Sequence, residues 1–168
     1  MARQDAHIVG VVNSTPLIAL ATVGHLSLLR ELFDAVLVPA SVYDEVVSQG
    51  QGRPGAEAVA DANWLIVREP ETANPFPAEL MGLDRGEVDV ILLAREVGAD
   101  WALIDERLGR RIAAAMGLPV KGTLGVLLVG YRLGLLSRQA ASDAVDLLAQ
   151  SSVRLSERLV TWFRGQLT

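Results

Sequence analysis

The sequence predicts an α/β fold in which a central, mostly parallel sheet of about five strands carries helices on both faces and is followed by a helical C-terminus. Three observations predict it. Short apolar runs without alternation, the first being Ile8-Val9-Gly10-Val11-Val12, suit strands covered on both faces. Helical patterns separate these runs, as parallel crossovers require. From Gly122 onward the pattern is helical only.

The first strand ends in the polar step Asn13-Ser14-Thr15-Pro16. Ser14 or Thr15 suits the N-cap of a helix whose first turn holds Pro16, where a missing N–H costs nothing. Asn13 is then left at the strand's carboxyl end, the edge at which open α/β sheets bind ligands. A helical pattern over 25–33 aligns Leu26, Leu29, Leu32 and Phe33, and 35–38 reads as a second strand closed by Pro39. Residues 40–48 are helical again, with Val42 and Val46 one turn apart and Ser41 as N-cap. The run Gly50-Gln51-Gly52-Arg53-Pro54-Gly55 matches neither the P-loop nor the dinucleotide fingerprint. It reads as a connector in which Arg53 is the one residue of functional interest. A short helix over 56–62, a third strand over 64–67 and a proline-containing surface connection over 70–77 follow.

Residues 83–97 form the most informative helix. Asp84-Arg85-Gly86-Glu87 has capping-box spacing with Asp as the cap, and the apolar residues that follow predict a largely buried helix. A fourth strand over 101–104 delivers Asp105 at its carboxyl end; a helix over 106–116 and a short strand over 118–120 come next. The remaining helices cover 124–133, 137–150 with Ser137 as cap, and 156–165 with Ser156 as cap. Leu159, Trp162 and Phe163 on the last of them read as cover for the core.

A chain of 168 residues that is 51% hydrophobic fits one domain over 1–168 with a sizeable core. The stretch 124–136 is the most apolar, but Arg132 interrupts it and it falls short of the roughly 18 residues of a membrane span. With no signal-peptide core either, a cytoplasmic protein without membrane contact is expected. Zero Cys rules out disulfides and thiolate metal sites, and two His do not make a histidine-rich zinc site. A net charge of −5 argues against coating nucleic acid by bulk electrostatics, while leaving room for a local patch. The cations are fourteen Arg and Lys121, a bias that genomic composition explains as readily as phosphate recognition does.

Helical geometry puts Glu87 on the face of Ile91 and Ala94, which should point inward, whereas Asp89 shares a face with Arg85 and Glu96 and is assigned to solvent. An inward carboxylate needs a cation, a hydrogen bond or a metal; completing the capping box is its local alternative. Asp105 could likewise be an N-cap, but it shares a sheet edge with Asn13. If Ser41 caps its helix, Asp44 falls at N3 and serves the helix end, leaving Glu45 without a local duty. Clustered carboxylates are tolerated where a hard divalent cation neutralises them. Oxygen-only ligands point to Mg²⁺ or Mn²⁺ and suit phosphodiester hydrolysis.

Several stretches in this order resemble the prokaryotic PIN-domain proteins, in the branch long catalogued as a domain of unknown function. They are Val12-Asn13-Ser14-Thr15-Pro16-Leu17-Ile18-Ala19-Leu20, Val38-Pro39-Ala40-Ser41-Val42-Tyr43-Asp44-Glu45-Val46, Gly52-Arg53-Pro54-Gly55-Ala56, Leu83-Asp84-Arg85-Gly86-Glu87, Leu103-Ile104-Asp105-Glu106-Arg107 and Lys121-Gly122-Thr123-Leu124-Gly125. The resemblance implies a three-layer α/β/α PIN-like fold and a Mg²⁺- or Mn²⁺-dependent ribonuclease related to VapC-type toxins. It implies an RNA substrate, a small antitoxin protein as partner and a homodimer. By position it makes Asn13, Glu45, Glu87 and Asp105 the catalytic and metal-binding set, with Asn13 standing where active members carry Asp.

Three functions from different classes are therefore compared. One is the metal-dependent ribonuclease, with Glu45, Glu87 and Asp105 as ligands and Asn13 as a neutral ligand or water positioner. Another is a PIN fold without catalysis that serves as a binding module. The third is a phosphoacceptor receiver domain in which Lys121 would be the lysine after the fifth strand; the missing acidic pair after the first strand argues against it.

Overall fold

The computed structural model describes residues 7–153 and 155–168; residues 1–6 and 154, within the domain expected over 1–168, lie outside them. One sheet is formed by β1 (Val9–Val12), β2 (Ala35–Pro39), β3 (Leu65–Arg68), β4 (Trp101–Leu103) and β5 (Val120–Lys121), in the order β3-β2-β1-β4-β5. Every pairing is parallel. Val11 and Val12 of the central β1 are fully buried, as its unbroken apolar run predicts for a strand covered on both faces. β3 lies at an edge and leaves Ile66 and Val67 exposed.

The helices are α1 (Ser14–Thr22), α2 (Leu28–Leu32), α3 (Ala40–Tyr43), α4 (Ala56–Asp61), α5 (Arg85–Val97), α6 (Arg107–Ala115), α7 (Thr123–Arg132), α8 (Arg138–Gln150) and α9 (Glu157–Gln166). α5 lies across β1, β2 and β4, burying Val90, Ile91, Leu93 and Ala94. Its start is the predicted capping box, and Gly98 ends it in the left-handed conformation at φ 61°. α7 packs against α1, α2, α8 and α9, and Ser137 and Ser156 cap α8 and α9 as their spacing predicts. No helix among the described residues is long and apolar enough to cross a membrane.

This order fixes where the chain reverses direction across the sheet. β1, β2 and β3 are laid outward on one side and β4 and β5 on the other, so the switch point lies between β1 and β4. The crevice beyond the carboxyl ends of those two strands is the expected ligand site, and it is where Asn13 and Asp105 follow. Receiver domains use the order 2-1-3-4-5 instead, so the topology removes that reading of Lys121.

The structure corrects several local expectations. Asn13 itself, not Ser14 or Thr15, is the N-cap of α1, accepting the Ser14 N–H at 2.9 Å. Asn is as good a cap as Ser, and it stands one residue nearer the strand. Ser41 does not cap α3, because Pro39 takes that position; inside the helix its hydroxyl donates to Asp89 at 2.5 Å. Asp89 is therefore not a solvent residue. Asp44 lies at the end of α3, where a π-helical stretch (Asp44–Ser48) begins, and accepts from Gln49 at 2.8 Å. The helix expected over 25–33 shrinks to α2, since Phe33 is extended. β5 begins at Val120, because Pro119 has no N–H and joins the ladder only through its carbonyl, which accepts from Ala102 at 2.8 Å. Of the three C-terminal apolar residues only Phe163 covers the core; Leu159 and Trp162 remain 45% and 47% exposed.

Candidate functional site

At the switch point the ends of β1 and β4 are tied together, the Asn13 N–H donating to the Leu103 carbonyl at 3.0 Å. Asn13 is only 3% exposed, and its amide oxygen faces the first turn of α5. Gly86 lies next to it. A β-carbon on it would sit 3.4 Å from Asn13 Oδ1 and 3.5 Å from Asp84 Oδ1, so both oxygens border the same small space.

The next residue is Glu87, 6% exposed and turned inward as its helix face predicts. Its Oε2 accepts from the Asp84 N–H at 3.2 Å, and its own N–H donates to Asp84 Oδ1 at 2.8 Å. The capping role and the inward role thus coexist. Oε1 accepts no hydrogen bond from the described residues and points at α6, 2.6 Å from where a β-carbon on Gly109 would lie. Burial raises the Glu87 carboxyl above its ordinary 4.5; the Asp84 backbone N–H opposes this, and the negative charges of Asp84 and Glu106 reinforce it.

Asp105 follows β4 but does not cap α6, a position held by Glu106 without a side-chain bond. Instead it crosses to α7. Oδ1 accepts the Thr123 N–H at 2.7 Å and Oδ2 the Thr123 hydroxyl at 2.6 Å. A carboxylate at a helix N-terminus is favoured by the helix dipole, and the two bonds fix the direction of Asp105. Over Gly122, Asp105 Oδ1 and Arg110 Nη1 border one space, 2.7 and 2.6 Å from a β-carbon built there.

Glu45 is different. It is exposed on the π-helical stretch and makes no hydrogen bond or ion pair with Asn13, Glu87 or Asp105. Arg53 is exposed in its loop. The sequence reading missed Glu106, whose charge acts on Glu87, and Thr123, which orients Asp105. Both lie within stretches quoted above, two or three residues after a strand end, and that position was their only signal.

A cleft of about 1140 Å³ opens beside Asp105 and Thr123, bordered by Glu106, Arg110 and Lys121 and also by Leu159 and Trp162. Lys121 Nζ lies 4.1 Å from the centre of the Trp101 ring. Burial lowers its proton affinity, with Arg110 and Arg132 adding to the effect.

The donor chemistry fits a hard cation: oxygen atoms only, including the Glu87 Oε1, which accepts no hydrogen bond from the described residues. Among the described residues no three His, Asp or Glu side chains come close enough to hold an ion between them. A cation here would draw on the Asn13 amide oxygen beside Glu87, with Asp105 as the other acid.

Comparison with known proteins agrees with the topology. The family model DUF3368, described as a PIN domain, matches residues 9–167. A search of the curated proteins gives no match. PIN domains share a nuclease-type fold and are commonly nucleases. With nearly the whole described chain inside the match, and the five-stranded parallel sheet to go with it, this protein belongs to the PIN-domain family.

Proposed function

We propose that the protein is a Mg²⁺- or Mn²⁺-dependent endoribonuclease and acts as the toxin of a toxin–antitoxin pair. The observation that carries this reading is Glu87. Burying a carboxylate beside two further acids is costly, and the capping box engages only its Oε2. A cation there would offset the cost.

Glu87 and Asp105, with the Asn13 amide oxygen, would hold the ion, and Glu45 would complete the set from the rim. The bound ion would supply Lewis-acid polarisation of a phosphoryl oxygen and a water of lowered pKa. The chain's own residues do the rest. Thr123 fixes the direction of Asp105, and Arg110, on the other side of Gly122, is placed to neutralise a phosphate oxygen. Gly109 leaves room for the Glu87 carboxylate.

A second reading, a PIN fold that binds without cleaving, is favoured by the neutral Asn13, whose oxygen already caps α1. Incubating the purified chain with RNA, with and without Mn²⁺, separates the two. The nuclease reading expects Mn²⁺-dependent fragments that Glu87→Gln and Asp105→Asn each abolish, and growth arrest on expression that the same substitutions relieve. Equal fragments from wild type and both variants would overturn it.

A further inference from the structure

Lys121 is the sole lysine of a chain in which fourteen arginines supply every other formal positive side-chain charge. It is also seated unlike a solvated surface lysine. Its stem crosses the first turn of α7 over Gly125, where a β-carbon would lie 2.5 Å from Lys121 Cγ and 3.2 Å from Cδ. Gly125 therefore leaves open the channel in which the side chain runs. Beyond it, Nζ stands 4.1 Å from the centre of the Trp101 ring, and Lys121 lines the large cleft. Neither the acids proposed to hold metal nor the Thr123 clamp uses this amine.

The position suits an amine that reacts rather than one that only carries charge. An arginine cannot be deprotonated in a protein, whereas a partly buried lysine can lose its proton. Burial, with Arg110 and Arg132 adding to it, lowers the proton affinity of Lys121 against the pull of the indole face for the charged form. No carboxylate among the described residues forms an ion pair with Lys121 to hold the proton on. The charges of the cleft are closely matched: the described residues that line it hold three cations, Arg110, Lys121 and Arg158, against two carboxylates, Asp105 and Glu106. Removing the charge of Lys121 leaves the two signs equal.

We propose that Lys121 is an acylation site, modified by an acyl phosphate that enters the cleft, and that the modification switches the cleft from net cationic to electrically even. The neutral amine attacks the acyl carbon, a C–N bond forms, and the C–O bond to phosphate breaks, the phosphate leaving with the electron pair. The proton shed by the nitrogen ends on the departing phosphate, so no oxidant, reductant or metal is consumed. Arg110 and Arg158 line the same cleft and offer their charges to the anionic leaving group. Acylation removes the lysine charge for good. Its consequence rests on the nuclease reading: an RNA strand is a polyanion, and one cation fewer weakens its hold on the cleft. Lys121 is then an off switch that leaves the acids of the site untouched.

The test treats the full chain with acetyl phosphate in EDTA and locates the acetyl groups by peptide mass mapping. Lys121 should gain its acetyl group faster in the folded chain than in the same chain unfolded in guanidinium chloride, the terminal α-amine of each sample serving as reference. Lys121→Arg should gain none at that position, and a circular dichroism melt confirms that it folds. In fluorescence anisotropy with a labelled single-stranded RNA, still in EDTA, acetylation should flatten the dependence of log affinity on log salt by about 0.7 in wild type. The same treatment should not move Lys121→Arg. A rate at Lys121 no greater in the folded chain than in the unfolded one would overturn the site. Acetylation of Lys121 that leaves RNA binding and its salt dependence unchanged would overturn the switch. If either happens while Glu87→Gln still abolishes cleavage, the nuclease reading stands without it. If acetylation weakens RNA binding by a chain that never cleaves, the switch stands on a non-catalytic PIN domain.

Discussion

The Glu87 carboxylate occupies the space that a side chain on Gly109 would fill, its Oε1 lying 2.6 Å from the position of the missing β-carbon. Helix α6 therefore accommodates an acid of α5 by giving up a side chain. Gly109→Ala tests the value of that arrangement. Alanine favours the helix by up to about 1 kcal/mol, which offsets its contact with Ile104 at 3.2 Å, so the melting temperature should change little. The displaced carboxylate should cost Mn²⁺-dependent cleavage up to about a hundredfold, as an ångström of misplacement can. Wild-type activity with wild-type stability would show that the seat of Glu87 does not matter to function.

Protonation of Glu87 gives stability a definite pH dependence. The folded protein raises this carboxyl above 4.5 and so binds its proton more tightly than the unfolded chain does. The sign follows: the Glu87 contribution favours folding most below the ordinary value and is lost as pH rises through the raised folded value. Gln at the same position can still accept the Asp84 N–H and keep the capping box. Denaturant melts without metal should find Glu87→Gln more stable than wild type at pH 7, the gap closing toward pH 4. A gap that widens on acidification contradicts the assignment.

Asp105 is held from the start of α7. Both of its oxygens accept short bonds from Thr123, which is itself 3% exposed. Thr123→Val keeps the backbone donor and the shape but deletes the hydroxyl bond, and should cost about 1.5 to 3 kcal/mol in urea denaturation, the worth of a hydrogen bond to a charged group. Cleavage should fall as well, because Asp105 loses its orientation. No loss of stability would mean that the Asp105–Thr123 pair is not the clamp described here.

The sheet and the inward, capping placement of Glu87 were legible in the sequence because each rests on local rules: the unbroken apolar run of β1, the Asp84–Glu87 spacing, and the Ile91–Ala94 face. What was not legible depends on contacts between distant segments. Thr123 meets Asp105 only once β4 and α7 are brought together, and Ser41 meets Asp89 only when α3 packs on α5. Trp162 was read as core because helical spacing cannot say which of two neighbouring aromatics faces inward; Phe163 took that place. Glu45 was singled out by elimination, assuming that Ser41 capped its helix, and that assumption fails with Pro39 at the cap.

Asn13 tests how much the missing acid costs. Aspartate caps a helix as well as asparagine does, so Asn13→Asp should keep the bond to the Ser14 N–H. It also sets a third negative charge against Asp84 and Glu87, and should lower the metal-free melting temperature at pH 7. Added Mn²⁺ should raise the melting temperature of the variant more than that of wild type, because tighter binding to the folded state stabilises it more. An equal rise in both proteins would remove Asn13 from the ligand set.

Calorimetric titration of Mn²⁺ into metal-free wild type and Glu87→Gln addresses the central claim most directly, because it asks for the ion without asking for a substrate. Saturable binding by wild type is expected, weakening as pH falls, since a ligand with a raised pKa must give up its proton to hold metal. Glu87→Gln should bind far more weakly. Saturable binding of equal strength in both proteins, or none in wild type, would contradict a metal centre built on Glu87.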